Sequence, residues 1–374
     1  MHLGARPVVG PPSRLITAEP RLGFGGWAVG GEAWGAPSSE RDRLGAIERA
    51  LERGVTFFDT APAYGNGASE TLLGRALKAH RHRVTIATKV GPHDDPRTTL
   101  EESLRRLATD QVDLVQLHEA LDRWEWQLER LIELQAAGKA RSVGICNATH
   151  RQLTRALEIA PLAAYQGPYN LFDRDVAQRV LPLCRERRLA FLAYRPLASG
   201  LLTGKYATPP LFPDGDHRRG IYWFQGREFA RRQLVLERLR PIAQRIGVPL
   251  QGLALGWILT QPGVSIVLVG ARSPEQVDQN LTGTRPLTPD IVSEIDGIVA
   301  AAFRLPRATA ELRADAGTWG ERERFIVERL DGKTTAEAIA ALWTDDGERP
   351  MVAAQVKVFC DQLAQRGLIA TDHE

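Results

Sequence analysis

Four side chains near the ends of short apolar runs combine a carboxylate, a phenol, a cation and an imidazole. Asp59, Lys89 and His118 each end such a run, and Tyr64 follows Asp59 by five residues. A lysine paired with a carboxylate beside a phenol favours the phenolate, which predicts a Tyr64 pKa lowered toward the working pH. Such a phenol can give a proton to a carbonyl oxygen while hydride reaches the carbon, and His118 can hydrogen-bond the same oxygen. A single lysine or histidine at a strand end is more often solvated or structural, so the residue types alone leave that role open.

The runs that carry these residues belong to a repeated pattern, in which an apolar run is followed by a segment with helical spacing. The eight predicted strands are Arg21–Ala28, Thr56–Asp59, Val84–Lys89, Asp113–His118, Arg141–Cys146, Ala163–Gln166, Ala190–Ala193 and Val264–Val269. The predicted helical segments are Ser39–Arg53, Ser69–Lys78, Thr98–Leu107, Trp124–Ala137, Thr149–Ile159, Asp175–Arg187, a composite Phe229–Thr260 and Pro274–Leu281. Eight strands that are each followed by a helix predict an α/β fold of the closed parallel (β/α)₈ type, with catalytic groups at its carboxyl-terminal face.

An open doubly wound sheet is the alternative fold for this alternation. It normally carries a glycine-rich dinucleotide turn after its first strand, and Gly23-Phe24-Gly25-Gly26-Trp27 matches that fingerprint poorly. The connection Leu202–Arg227 is long and rich in proline, glycine and aromatic residues, and long loops over the active face of a barrel are usually functional. We therefore assign residues 15–304 to a barrel and residues 308–374 to a second, small module.

Composition and charge narrow the class of protein. The 374 residues include 48 basic and 45 acidic ones, with a formal net charge of +3 and no long run of one sign, which argues against a nucleic-acid or membrane partner. The start of the chain is unlike a signal peptide, and we find no apolar stretch of about 18 residues. Cys146, Cys184 and Cys360 lie far apart, which disfavours disulfides and a metal site and predicts a reducing cytoplasm.

Around the four side chains the sequence resembles the aldo-keto reductase family. The stretch that is similar to the family's first signature is Gly54–Gly65 with Ser69-Glu70 and Leu73-Gly74. Asp59, Tyr64, Lys89 and His118 fall on its catalytic tetrad, and the likeness covers residues 15–300. The resemblance implies a barrel that reduces an aldehyde or ketone with NADPH, with Tyr64 as general acid. A non-catalytic, cofactor-bound scaffold is the alternative, and the intact tetrad argues against it.

The resemblance also implies a cofactor site without a glycine-rich loop. Asn147 and Gln166 match the positions that hold the nicotinamide carboxamide, and Tyr194 matches the aromatic residue that stacks on its ring. Gly26 and Trp27 lie at the same end, and Trp27 matches a position that usually faces substrate. The residues similar to the segment over the pyrophosphate are Arg195, Pro196, Leu197, Ser199, Gly200, Leu201 and Lys205. Those that resemble the adenosine-phosphate end are Gly270, Arg272, Gln276, Gln279 and Asn280.

The chain departs from the family's pattern at both ends of this site. Many members carry a Lys-Ser pair at the positions of Gly270 and Ala271, and here Arg272 is the predicted partner of a 2′-phosphate, which favours NADPH over NADH. The start of the following helix also favours an anion. The aromatic residues that only their location places near substrate, each as consistent with packing, are Trp124, Tyr222 and Trp223.

The residues after Leu305-Pro306-Arg307 form a second predicted module. Ala308–Ala314 alternates like a strand, and helices are predicted over Glu321–Leu330, Thr335–Trp343 and Val352–Arg366. The module resembles the small PqqD-type peptide-binding fold, and a winged-helix or helical appendage is equally consistent. The PqqD-type resemblance implies a peptide partner bound as an added strand, and a peptide- or carrier-linked carbonyl substrate.

Overall fold

The computed structural model describes residues 21–31, 33–35, 38–304, 321–330, 334–343, 349–365 and 369. Eight parallel strands close into a barrel in chain order, with the last strand paired to the first. The strands are β1 Arg21–Gly25, β2 Phe57–Asp59, β3 Thr85–Val90, β4 Val112–Leu117, β5 Ala140–Cys146, β6 Ala164–Pro168, β7 Ala190–Tyr194 and β8 Val264–Val269. The predicted (β/α)₈ barrel is therefore confirmed, and the open sheet is excluded.

The helices that alternate with these strands begin where the sequence offers a cap. Ser39, Asp95 and Ser273 each accept a hydrogen bond from the main-chain N–H three residues later, which satisfies one of the free donors at a helix start. The helices are α1 Glu40–Glu52, α2 Ala68–Leu77, α3 Pro96–Leu107, α4 Trp124–Ala136, α5 His150–Ile159, α6 Val180–Arg187, α7 Gly226–Arg245, α8 Leu250–Thr260, α9 Pro274–Leu281 and α10 Pro289–Phe303.

The predicted elements that differ most from those observed are the first strand, the composite helix and the helix Asp175–Arg187, which divides into a 3₁₀ turn, Asp175–Ala177, and α6. The first strand ends at Gly25 instead of Ala28, and the Gly26 N–H donates the last hydrogen bond of the β1–β2 ladder to the Asp59 carbonyl at 2.7 Å. A Cβ on Gly26 would lie 2.6 Å from that oxygen, so only glycine fits there. The composite helix is two helices, α7 and α8, because Gly247 adopts a φ of 69° and Pro249 precedes the second one.

The barrel interior is apolar below its carboxyl-terminal edge. Side chains alternate along a strand, so one set fills the barrel and the other faces the helices. The inward apolar cluster consists of Phe57, Ala87, Leu114, Ala164, Ala190, Leu192, Ile266 and Leu268. Above it the register pairs Lys89 with Gln116 and Cys146 with Gln166, which brings polar side chains from neighbouring strands to one edge.

The chain divides into two compact units, one that extends to Val292 and another that comprises Ser293 onward together with Thr149–Arg151. The second unit contains α11 Glu321–Glu328, α12 Ala336–Trp343 and α13 Arg349–Gln365, and an isolated antiparallel bridge joins Arg304 to Thr335. Its own apolar core consists of Ile326, Val327, Leu330, Ala336, Ile339, Ala340, Val352, Ala353, Val356, Cys360, Leu363 and Ile369. The predicted strand Ala308–Ala314 lies outside the described residues. In the part of the chain that is described, no helix is long and apolar enough to cross a membrane.

Candidate active site

A buried ion pair lies at the carboxyl-terminal edge of the barrel. Lys89 Nζ, on β3, donates to Asp59 Oδ2 on β2 at 2.6 Å and to the Thr60 carbonyl at 2.9 Å. Its third contact is the Tyr64 hydroxyl at 3.1 Å. Both charged side chains are almost completely buried, so each depends on the other for stabilisation.

Two amides hold the other oxygen of Asp59. Gln166 Nε2 donates to Asp59 Oδ1 at 2.8 Å, and Gln116 Nε2 lies at 3.4 Å. Gln166 was predicted to hold the nicotinamide carboxamide, and in the structure its amide nitrogen is engaged by the carboxylate. Gln116 was not anticipated. It lies on β4 two residues before His118, and side chains two residues apart on a strand share a face, so the spacing could have indicated it.

Two glycines fix the loop that carries Tyr64. Gly65 has a φ of 63°, and a Cβ there would lie 2.0 Å from the Gly30 carbonyl. A Cβ on Gly30 would lie 2.7 Å from the Tyr64 carbonyl carbon. This close approach of two main chains accounts for the glycine that follows the tyrosine, and it places the phenol over Lys89.

Desolvation governs the protonation of Tyr64. Loss of hydration raises the pKa of Tyr64 to about 12, because it outweighs the attraction of Lys89. The prediction that the pKa of Tyr64 is lowered is therefore wrong, and the phenol stays protonated at neutral pH. Burial by itself lowers the pKa of Lys89, but the charges of Asp59 and Tyr64 reverse that effect, so the net pKa is raised and the ammonium persists.

His118 lies beside the phenol as a neutral ring. The His118 and Tyr64 ring centroids are 5.9 Å apart in an edge-on arrangement at 80°. Burial, aided by the charge of Lys89, lowers the pKa of His118 to about 3. The imidazole is thus uncharged at neutral pH and offers one N–H donor and one acceptor.

Asn147 and Tyr194 form a short polar chain next to His118. The Tyr194 hydroxyl donates to Asn147 Oδ1 at 2.9 Å, and Asn147 Nδ2 donates to the His118 carbonyl at 3.1 Å. Asn147 adopts a φ of 55°, a conformation that asparagine tolerates better than most residues. The structure therefore joins two predicted cofactor positions to one predicted catalytic position.

The segment after β7 has an irregular main chain that is largely left-handed. Arg195, Ala198, Ser199 and Gly200 all have positive φ, and the Ala198 and Gly200 N–H groups close tight turns by donating to the Arg195 and Leu197 carbonyls at 2.9 Å. The Ser199 hydroxyl is buried and has no hydrogen-bond partner among the described residues. The remaining predicted members of this segment are Pro196, Leu197, Leu201 and Lys205. Pro196 and Leu201 are buried, and Lys205 lies over the Tyr206 ring at 5.0 Å.

Three cations lie near one another at the start of α9. Desolvation and the positive charges of Arg218 and Arg272 lower the pKa of Lys205. Arg218 is buried and makes a two-pronged ion pair with Asp216, whereas the Arg272 guanidinium donates to the Trp34 carbonyl at 2.8 Å. Arg218 was not anticipated, since its position in the long β7–α7 connection gives no spacing signal.

The other predicted residues at this end serve local contacts. The Arg272 N–H donates to Gln276 Oε1 at 2.8 Å, and Asn280 Nδ2 donates to the Gly270 carbonyl at 3.2 Å. Gln279 is exposed on α9. These contacts shape the turn between β8 and α9, where the N-terminal end of the helix is positive.

An aromatic wall stands on the other side of Tyr64. The Trp27 ring stacks near Tyr64, with centroids 6.3 Å apart. His217, which was not anticipated, packs against Trp27 at 4.4 Å and against Trp34 at 4.3 Å. Of the aromatic residues predicted from location, Trp223 is buried, Tyr222 is exposed, and Trp124 begins α4.

The chain is similar to proteins of known family. A model of the Aldo/keto reductase family matches residues 21–300. The chain is 38% identical over 275 residues to the aldo-keto reductase YhdN of Bacillus subtilis, a match that covers 69% of this chain and 83% of the relative. It is 31% identical over 297 residues to the NADH-specific methylglyoxal reductase of Escherichia coli, covering 70% and 88%.

The chain belongs to the aldo/keto reductase family.

Solved structures agree with this assignment. A glycerol dehydrogenase from Gluconobacter oxydans superposes with a TM-score of 0.69 at 34% identity, covering 76% of this chain and 92% of that one. An aldo/keto reductase from Klebsiella pneumoniae, solved in complex with NADP and acetate, gives a TM-score of 0.60 at 27% identity, covering 74% and 90%. The expectation of an NAD(P)H-dependent oxidoreductase is therefore confirmed at the level of the family.

The depressed pKa of His118 predicts an acid-sensitive fold. Free histidine titrates near 6.5, so between pH 6.5 and about 3 the unfolded chain binds a proton that folded His118 does not, and stability falls as the pH falls through this window. Relative to His118→Gln, the wild type should lose at most about 2 kcal/mol of unfolding free energy between pH 7 and pH 5. Urea titrations at both pH values measure this difference. His82→Gln removes an exposed histidine and should leave the wild-type pH dependence in place.

Proposed function

We propose that this aldo/keto reductase reduces an aldehyde or ketone to an alcohol with NADPH, and that Tyr64 is the general acid. The observation that carries the proposal is the contact of a protonated phenol with the buried Lys89–Asp59 pair, beside a neutral imidazole. A phenol in this state can donate a proton. Solved relatives that hold NADP and NADPH support the cofactor.

The residues of this chain have separable tasks in the proposed reaction. NADPH, when bound, supplies the hydride that the carbonyl carbon accepts. The carbonyl oxygen takes the proton of the Tyr64 hydroxyl, and Lys89 stabilises the phenolate that remains through its 3.1 Å contact. Asp59 keeps Lys89 charged and in place, and neutral His118 donates a hydrogen bond that orients the substrate oxygen.

The residues that would hold NADPH fit its chemistry. A buried hydroxyl without a partner on a left-handed main chain, as found at Ser199, suits an oxygen of a pyrophosphate. The cations Lys205, Arg218 and Arg272 suit a further phosphate. Asn147 and Tyr194 at the nicotinamide end, with Gly26 and Trp27 opposite, complete the proposed binding residues.

Replacing Tyr64 by phenylalanine tests the assignment of the proton donor. The change removes the hydroxyl and keeps the ring, so kcat should fall by about 10²–10⁴-fold, whereas the Kd for NADPH should stay within about twofold. Steady-state reduction of a small aldehyde and quenching of protein fluorescence by NADPH measure the two quantities. Turnover within a few-fold of wild type would exclude Tyr64 as the general acid. Absence of aldehyde reduction by the wild type would instead favour a cofactor-bound scaffold.

Arg272 is the proposed partner of the 2′-phosphate. Arg272→Ala should weaken the binding of NADPH by about 1–3 kcal/mol and leave the binding of NADH nearly unchanged, because only NADPH carries that phosphate. Arg272 also tethers the Trp34 carbonyl, so the matched control is Arg43→Ala, which removes a similar tether to the Val29 carbonyl. Cofactor titrations of both variants measure the change. Equal losses for the two cofactors in Arg272→Ala would place the 2′-phosphate elsewhere.

We also propose that residues 308–374 form a separable module that recruits a peptide-linked carbonyl, as the PqqD-type resemblance implies. Its support is the apolar core that the second unit has of its own. A chain that ends at Arg304 should remain soluble and reduce small aldehydes at a kcat/KM within about threefold of the full chain, and its KM should rise for a peptide aldehyde carrying the same reactive group. Melting curves and kinetics on both substrates check this. An equal loss of kcat/KM for the small aldehyde and the peptide aldehyde would contradict the recruitment of a peptide-linked substrate.

A further inference from the structure

Arg195 begins the β7–α7 connection in a constrained position. It follows the last residue of β7 with a φ of 52°, and its carbonyl accepts a hydrogen bond from Asn170 Nδ2 at 3.1 Å. Its guanidinium carbon lies 5.2 Å from the Trp223 ring centroid and 5.9 Å from that of Tyr194. The main chain and two aromatic rings therefore limit where this cation can go.

The cation of Arg195 has no counterion in the part of the chain that the structure describes. Its Nε is buried without a hydrogen-bond partner, and no carboxylate there forms an ion pair with it. By contrast, Arg218 pairs with Asp216 and Arg232 pairs with Glu228. A partly buried guanidinium that lacks an anion is costly, and an anionic ligand would offset that cost.

One route of contact connects Arg195 with the reacting groups. Its guanidinium lies over the Tyr194 ring, and the Tyr194 hydroxyl leads through Asn147 to the main chain of His118. Arg195 is thus linked to the side of the site that carries His118.

The cofactor cations form a different group. Besides desolvation, the charges of Arg218 and Arg272 lower the pKa of Lys205, and the charge of Arg218 lowers that of Arg272. Arg218 already has its carboxylate, and Arg272 is held at the Trp34 carbonyl beside α9. The side chain of Arg195 instead packs on Trp223 and Tyr194, so its charge is available to a different ligand.

We propose that Arg195 is a specificity-determining residue, which binds an oxyanion carried by the carbonyl substrate. The proposal rests on the proposed reductase function and narrows its substrate class to carbonyl compounds that also bear a carboxylate or a phosphate monoester. A guanidinium binds either group through two parallel N–H donors. The rings of Trp27 and Trp223 would flank the apolar body between the carbonyl and the anion.

Pairs of matched aldehydes test this proposal. 4-Carboxybenzaldehyde and its methyl ester differ in charge but not in reactive group, and 4-formylphenyl phosphate and 4-methoxybenzaldehyde probe the phosphate source. Wild type should prefer at least one anion over its neutral partner by about tenfold or more in kcat/KM. Arg195→Met should abolish that preference, mainly through KM, and Arg195→Lys should restore part of it. Whichever anion shows the Arg195-dependent preference identifies the oxyanion.

The control is Arg188→Met. Arg188 precedes β7, as Arg195 follows it, and it also has a positive φ of 56°, but it is exposed at the end of α6. This variant should keep the wild-type preference, which separates an effect of the cation from one of a left-handed backbone.

Three results would overturn the inference. The first is a wild type that reduces both members of each pair equally well. The second is an Arg195→Met variant that keeps the wild-type preference for the anion. The third is an Arg195→Met variant with a higher Kd for NADPH and a kcat/KM that falls equally for all aldehydes, which would assign Arg195 to the cofactor. If Arg195→Met does not fold, the kcat/KM preference of the wild type and that of Arg195→Lys still test the proposal. A wild type that reduces no aldehyde would instead count against the reductase function, a separate failure.

Discussion

The buried ion pair between Lys89 and Asp59 is the constraint on which the site depends. Neither charge reaches water, and removing one partner of such a pair costs about 3–5 kcal/mol because the other is left uncompensated. Four strands, β2, β3, β4 and β6, therefore each supply a hydrogen-bonding group at the same height. The side-chain amides of Gln116 and Gln166 donate to one carboxylate oxygen of Asp59, and Lys89 donates to the other. The one donor of Lys89 that faces neither Asp59 nor the Thr60 carbonyl is directed at the phenol.

The parallel barrel meets this requirement through its register. Strand ends of a closed parallel sheet lie on one rim, and neighbouring residues in register differ little in height, so residues from β2, β3, β4 and β6 converge without any loop having to carry them. Tyr64 is the exception, since it lies on a loop. Its position is fixed instead by the contact between Gly30 and Gly65, where two main chains touch and no side chain fits.

The sequence was sufficient to predict the parts of the fold that local patterns encode. The alternation of apolar runs and helical segments predicted eight strands, and the helical spacing that begins near Ser39 and Pro274 located the starts of α1 and α9 to within a residue. It was not sufficient where tertiary contacts decide. The need for glycine at position 26 depends on the close approach of the Asp59 carbonyl, and the net pKa of Tyr64 depends on how much water the folded site excludes.

The same distinction explains which site residues the sequence missed. Asp59, Lys89 and His118 lie at strand ends, where position in the repeat indicates function. His217 and Arg218 lie in a long connection without periodicity, and only the folded chain shows that the His217 N–H contacts the Ala33 carbonyl and that Arg218 pairs with Asp216. The strand ends carry most of the groups proposed for proton transfer, and the loops supply the surrounding rings and cations. The contacts that the structure shows for the Lys89–Asp59 pair come from the strands and from the loop after β2, so the β7–α7 connection can change charge and shape without disturbing the pair. The substrate preference proposed for Arg195 could then change while the proposed proton donor, Tyr64, stays in place.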